Sequence, residues 1–94
     1  MENKVKLFLD KNNEWRHEND SLVRVFEFDD FRQAISFIVH FSFLSDQANH
    51  HAEITNTYNK VTIKLTTHDE NESVSEKDVS IAEDCEVLFN RSYS

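Results

Sequence analysis

Three histidines, His50, His51 and His68, are the residues of this chain best suited to moving protons. An imidazole with a pKa of about 6.5 has both forms populated near neutrality, so it can give a proton or take one. Two of the three are adjacent. The third lies at the far end of a stretch that reads as a β-hairpin. Glu53 to Tyr58 is β-branched and polar, Val61 to Thr67 alternates with period two, and Asn59-Lys60 is the expected turn between them. In that register Tyr58 faces Val61. Carried outward to the mouth of the hairpin, it sets His51 opposite His68. Directly opposed residues of antiparallel strands have Cβ atoms about 4.5–5.5 Å apart, so folding is expected to gather the imidazoles. Asp46, one turn before His50 on the preceding helix, is placed to hydrogen-bond it.

Two kinds of chemistry are open to such a cluster. One is general acid–base catalysis. The other is metal binding by His50, His51 and His68 with Asp78, since zinc accepts imidazole and carboxylate ligands. Adjacent histidines seldom both reach one metal without strain, which favours the first. Taken singly, each residue also has a plainer role. A histidine pair after a helix can simply cap it, His68 can be a loop residue, and Asp78 a carboxylate at a helix start. His17 and His40 match no motif and read as surface or interface residues.

The elements that must position these groups follow from periodicity. Residues 1–13 are ambiguous: Val5, Leu7 and Leu9 alternate, which favours a strand over a short helical turn. Glu14 to His17 and Leu22 to Phe28 read as two strands joined by an Asn-Asp-Ser turn. Asp29 or Asp30 can cap a helix running to about Asn49. Phe31, Ala34, Ile35, Ile38, Phe41, Ser45 and Ala48 form one stripe on it, and Phe37, Val39, Phe43 and Leu44 lie off that stripe. A surface helix needs one apolar face. The surplus here implies that a second subunit, or else the N-terminal segment, covers part of it. Ser75 with Asp78 three residues on is close to a capping box, and it opens a last helix with Ile81, Ala82, Cys85, Leu88 and Phe89 on its buried side. Asn90 to Ser94 is expected to fray. The result is an α+β two-layer sandwich of order β-β-α-β-β-α, in a single domain over residues 1–94.

The same stretches resemble the pterin-4a-carbinolamine dehydratases. That family's hallmark is an acidic residue, then His-His-Pro, a strand ending Tyr-Asn-Lys/Arg-Val, a Thr-His, and an Asp near the start of the last helix. Here they read Asp46, His50-His51-Ala52, Tyr58-Asn59-Lys60-Val61, Thr67-His68 and Asp78. Phe26-Glu27-Phe28-Asp29-Asp30-Phe31 and Ala34 are similar to the family's lead into its long helix, and Trp15 stands where it usually has a tryptophan. The resemblance covers about residues 15–89.

It implies a four-stranded antiparallel sheet with helices on one face, and a dehydration that needs no cofactor because the pterin is the substrate. A proton must reach the leaving 4a-hydroxyl and another must leave a ring nitrogen. His50, His51 and His68 would surround the pterin, His51 and His68 making the transfers and His50 positioning. Asp78, Asp46, Glu53 and Thr67 would support or bind substrate. It also implies a homodimer or homotetramer, or, where activity is lost, a protein-binding dimerisation module. Ala52 departs from the usual Pro, Ile54 from the usual Trp, and the loop after His68 is one residue longer.

Composition bounds the rest. A net charge of −8 argues against nucleic acid and anionic membranes as partners. There is one cysteine, so no internal disulfide forms, and the cytoplasm is the expected compartment. The chain has neither Gly nor Pro. A P-loop or glycine-rich dinucleotide motif is therefore excluded, and turns must fall on Asn and Asp.

Overall fold

Alternation along two strands builds the floor of the molecule. In β2 (Ser21–Glu27) and β4 (Lys60–Leu65), Leu22, Phe26, Val61, Ile63 and Leu65 point to one side of the sheet and are buried. The structure, a computed structural model, describes residues 2–67 and 73–93. Ahead of β2 come α1 (Glu2–Lys11) and β1 (Arg16–Glu18). Between the hairpins lies α2 (Phe31–Ala48), β3 (Glu53–Thr57) precedes β4, and α3 (Glu76–Ser92) follows. The strands form one antiparallel sheet of order β1-β2-β4-β3. With three helices against it, the architecture is the expected α+β sandwich, plus one helix at the N-terminal side.

That helix corrects the strand reading of residues 1–13. Val5 and Phe8 are buried, Leu9 packs beside them and Leu7 is exposed. Spacing of three and four therefore prevails over the alternation of Val5, Leu7 and Leu9. Phe8 meets Trp15 edge-on at 5.8 Å, and Trp15 meets Phe26 at 6.1 Å, so an aromatic chain ties α1 to the sheet.

Asp30 caps α2, its carboxylate accepting the Gln33 N–H at 2.9 Å. The buried face is Ala34, Phe37, Phe41 and Ser45. Phe37, placed off the stripe by sequence, is thus central, whereas Phe31 and Ile35 are exposed together with Val39 and Phe43. The stripe is rotated because Phe26, Phe28 and Phe89 surround the Phe37 ring, with Phe26 at 4.8 Å. Asn49 ends the helix in the left-handed region at φ 52°, as a glycine-free chain requires. Asn19, at φ 53°, turns the first hairpin likewise.

The second hairpin differs from expectation. Its register pairs Glu53 with Lys64 and Thr57 with Lys60, so the loop is Tyr58-Asn59 rather than Asn59-Lys60. Tyr58 takes the left-handed conformation at φ 51°. Asn59 does another job: its side-chain amide donates to the Phe28 carbonyl at 2.8 Å, and its carbonyl accepts the Phe28 N–H at 2.9 Å. Asn56 completes the turn by donating to the Tyr58 and Lys60 carbonyls. This register, carried outward, sets position 51 against Thr66 and not against 68.

Ser75 and Asp78 form the capping box of α3. Its C-terminal end does not fray within the described residues. Helix continues to Ser92, and Tyr93 packs on Phe28 and Phe37 with its hydroxyl 2.6 Å from Ser36 Oγ and 2.8 Å from His40 Nδ1. Cys85 is fully buried, and burial, assisted by Glu86 and Asp84, pushes its thiol pKa up. We expect no reaction of Cys85 with a thiol reagent at pH 8 until denaturant is added. Rapid labelling of the native protein would show that α3 opens from the core.

No helix among the described residues is long and apolar enough to cross a membrane.

Candidate active site

The site is built where the C-terminal end of α2 meets the start of α3. α2 delivers Asp46, the left-handed turn at Asn49 reverses the chain, and His50 and His51 follow before β3 begins. α3 brings Asp78 in its first turn.

Asp78 is the fixed point. It is completely buried, and both carboxylate oxygens are engaged. Oδ1 lies 2.5 Å from His50 Nε2; Oδ2 accepts the Thr67 hydroxyl at 2.8 Å and the Ser75 N–H at 2.9 Å. Thr67 Oγ1 is also 2.5 Å from Ser75 Oγ. A buried carboxylate is tolerated only with such partners. The Asp78 side chain is therefore at once a helix cap and the partner of a histidine.

His50 is held inward, with a side chain 12% exposed. His51 is turned the other way, its side chain 64% exposed and its Nε2 3.0 Å from Asp46 Oδ1. The expected Asp46–His50 pair is thus replaced by Asp46–His51 and Asp78–His50. The exchange follows from the turn at Asn49, which carries His50 under α3 and leaves His51 above the end of α2.

Among the described residues the two rings border different hollows. His51 opens on a polar concavity of about 350 Å³ with Asn19, Asp20, Ser21, Glu53, Lys64 and Thr66 in its walls. His50 borders a smaller hollow of about 260 Å³ beside Ala48, Lys77 and Ile81. Ile54 is half-exposed on β3 and lines neither. His68 lies outside the described residues, as does the loop that follows it. Among the described residues no three His, Cys, Asp or Glu side chains are grouped to hold a metal ion. His17 is exposed on β1, and His40 is engaged with Tyr93.

Two features escape a sequence reading. Ser45 is buried, its hydroxyl 2.6 Å from the His50 carbonyl and its own carbonyl 3.1 Å from the His50 N–H. Its place in an apolar stripe was the available signal. Behind the site, Arg24 is inserted between sheet and α3, paired with Glu86, which also accepts the Trp15 indole N–H at 2.7 Å. The Arg24 guanidinium lies 4.2 Å from the Phe26 ring centroid and 5.1 Å from that of Phe89.

Comparison with known proteins points one way. The family model described as pterin 4 alpha carbinolamine dehydratase matches residues 1–88. A Prochlorococcus marinus protein named "Putative pterin-4-alpha-carbinolamine dehydratase" is 35% identical over 88 residues, 94% of this chain and 92% of that one. A protein of the same name from Opitutus terrae is 43% identical over 68 residues, 72% of this chain and 70% of its own. A crystal structure of a transcriptional coactivator/pterin dehydratase from Brucella melitensis superimposes with a TM-score of 0.83. It is 29% identical and covers 94% of this chain and 95% of that one.

Proposed function

The chain belongs to the pterin-4a-carbinolamine dehydratase family, and from that premise we propose that it removes water from a 4a-hydroxytetrahydropterin to give the quinonoid dihydropterin. One observation carries the reading. His51, bonded to Asp46, lines a polar concavity whose volume of about 350 Å³ is within the range of about 300–1,000 Å³ usual for small-ligand sites.

The reaction needs one proton delivered and one removed. An acid protonates the 4a-hydroxyl, the C4a–O bond breaks, and water leaves. The ring nitrogen's electron pair closes the C=N bond as its proton passes to a base. In this reading Asp46 holds His51 through Nε2 and stabilises the imidazolium, and Nδ1 faces the substrate. His68 is the second proton carrier, and His50 holds position through Asp78 and Thr67. Glu53, beside His51, is suited to the amino-substituted edge of the pterin, which offers N–H donors to a carboxylate. No redox cofactor is required, because electrons are conserved within the substrate. A separate two-electron reductase would have to act on the quinonoid product to restore the tetrahydropterin.

Family membership and the exposed apolar residues Phe31, Ile35, Val39 and Phe43 of α2 support self-association as a homodimer or homotetramer. The buried single cysteine suits a cytoplasmic setting. The test is direct: the protein should accelerate loss of water from a 4a-hydroxytetrahydropterin, followed by absorbance of the quinonoid product. A rate equal to the uncatalysed one would reject the enzyme and leave a binding module. Sedimentation as a monomer at micromolar concentration would reject the assembly.

A further inference from the structure

We propose that Ser45 is a positioning residue whose hydroxyl sets the directions of both His50 and His51; as a contribution to catalysis, it rests on the dehydratase reading. Both main-chain groups of His50 are bound to this single residue. The Ser45 carbonyl accepts the His50 N–H at 3.1 Å, and the Ser45 hydroxyl donates to the His50 carbonyl at 2.6 Å. That second carbonyl belongs to the peptide leading into His51. Fixing its plane therefore fixes the N and Cα atoms of His51, from which the side chain departs.

The need for such a clamp is local. Residues 50–52 lie between the left-handed Asn49 and the first residue of β3, outside both the helix and the ladder. In this gap two adjacent imidazoles must diverge, one to Asp78 on α3 and one to Asp46 on α2. A serine inside a helix ordinarily turns its hydroxyl back to the carbonyl one turn earlier. Ser45 instead reaches forward five residues, and it is buried, so water does not compete for its bond. Asp46 is its immediate neighbour on α2. His51 and the carboxylate that orients it thus share one anchor point.

The experiment compares Ser45→Ala and Ser45→Cys with the wild type. Alanine empties the hydroxyl position and cysteine fills it with a bulkier, poor donor, so an effect shared by both points to the hydrogen bond and not to a cavity. Long-range proton–nitrogen spectra of the imidazoles are read first. In both variants the His50 and His51 resonances are expected to shift or broaden together, while those of His17 and His40 stay in place. In the assay kcat is expected to fall about tenfold in both, with KM changed less than twofold, as for a loss of orientation without loss of substrate contact. Unmoved His51 resonances in both variants would overturn the proposal. So would a Ser45→Cys protein with wild-type spectra, because volume alone would then suffice. A wild type inactive as a dehydratase removes the functional reading, and the spectra still decide the clamp.

Discussion

Replacing His51 with alanine should lower kcat for dehydration by about 10²–10⁴-fold, the usual worth of a positioned acid or base, while leaving the unfolding midpoint nearly unchanged. The second half follows from exposure. His51 is in solvent, and its recorded bond is to Asp46, itself exposed; such substitutions usually shift stability by about 0.5 kcal/mol or less. His50→Ala makes the contrast. It removes a partner from the completely buried Asp78 carboxylate, and a buried acceptor stripped of a bond costs about 1–3 kcal/mol. That variant should lose stability and activity together. Steady-state rates beside urea titrations distinguish the two. Full activity in His51→Ala would end the acid–base assignment of this residue.

Substituting Glu86 by glutamine is expected to destabilise the fold by about 3 kcal/mol, the low end of the about 3–5 kcal/mol seen when one partner of a buried pair is removed. The low end applies because the Arg24 and Glu86 side chains remain 10% and 16% exposed. Arg24 would keep its charge between Phe26 and Phe89 with no carboxylate beside it. Its Nε already lacks a hydrogen-bond partner among the described residues, so little compensation is in reserve. The double replacement Arg24→Met with Glu86→Leu should recover part of the loss, since apolar groups of similar volume often match a buried pair, while the Trp15 indole N–H loses its acceptor. Urea denaturation of the three proteins checks this. A single variant within about 0.5 kcal/mol of wild type would show that water reaches the pair and that it behaves as a surface ion pair.

Much of the fold could be read from periodicity, and the departures have local causes. The Asp30 cap, the α2 boundaries and the Ser75–Asp78 capping box follow from residue types within one helical turn. The β3–β4 register does not, because Asn59 is recruited by Phe28, thirty-one residues away, and Tyr58 is left to make the tight turn. That shift of one loop position changes the register from which the opposition of His51 and His68 was expected, and His68 itself lies outside the described residues. Phe37 belongs to the core only because three aromatic rings from other elements meet it. At the site, Asp46, His50, His51 and Asp78 are singled out by the family resemblance, and the structure joins them as two carboxylate–imidazole pairs. Which carboxylate serves which histidine was not legible, since it depends on how the chain leaves Asn49. Arg24 was invisible for a related reason: its position in β2 alternates correctly for the core, and only tertiary packing supplies Glu86.

The double duty of Asp78 has a thermodynamic consequence. One side chain closes the first turn of α3, ties down Thr67 and receives His50, so the helix start and the inner imidazole belong to a single cooperative opening unit. Free-energy changes made at Ser75, Thr67 and His50 are then not separable quantities; each alters the setting in which the others act. Disturbance of the segment entering α3 reaches the inner imidazole, His50, with no atom of that ring being touched.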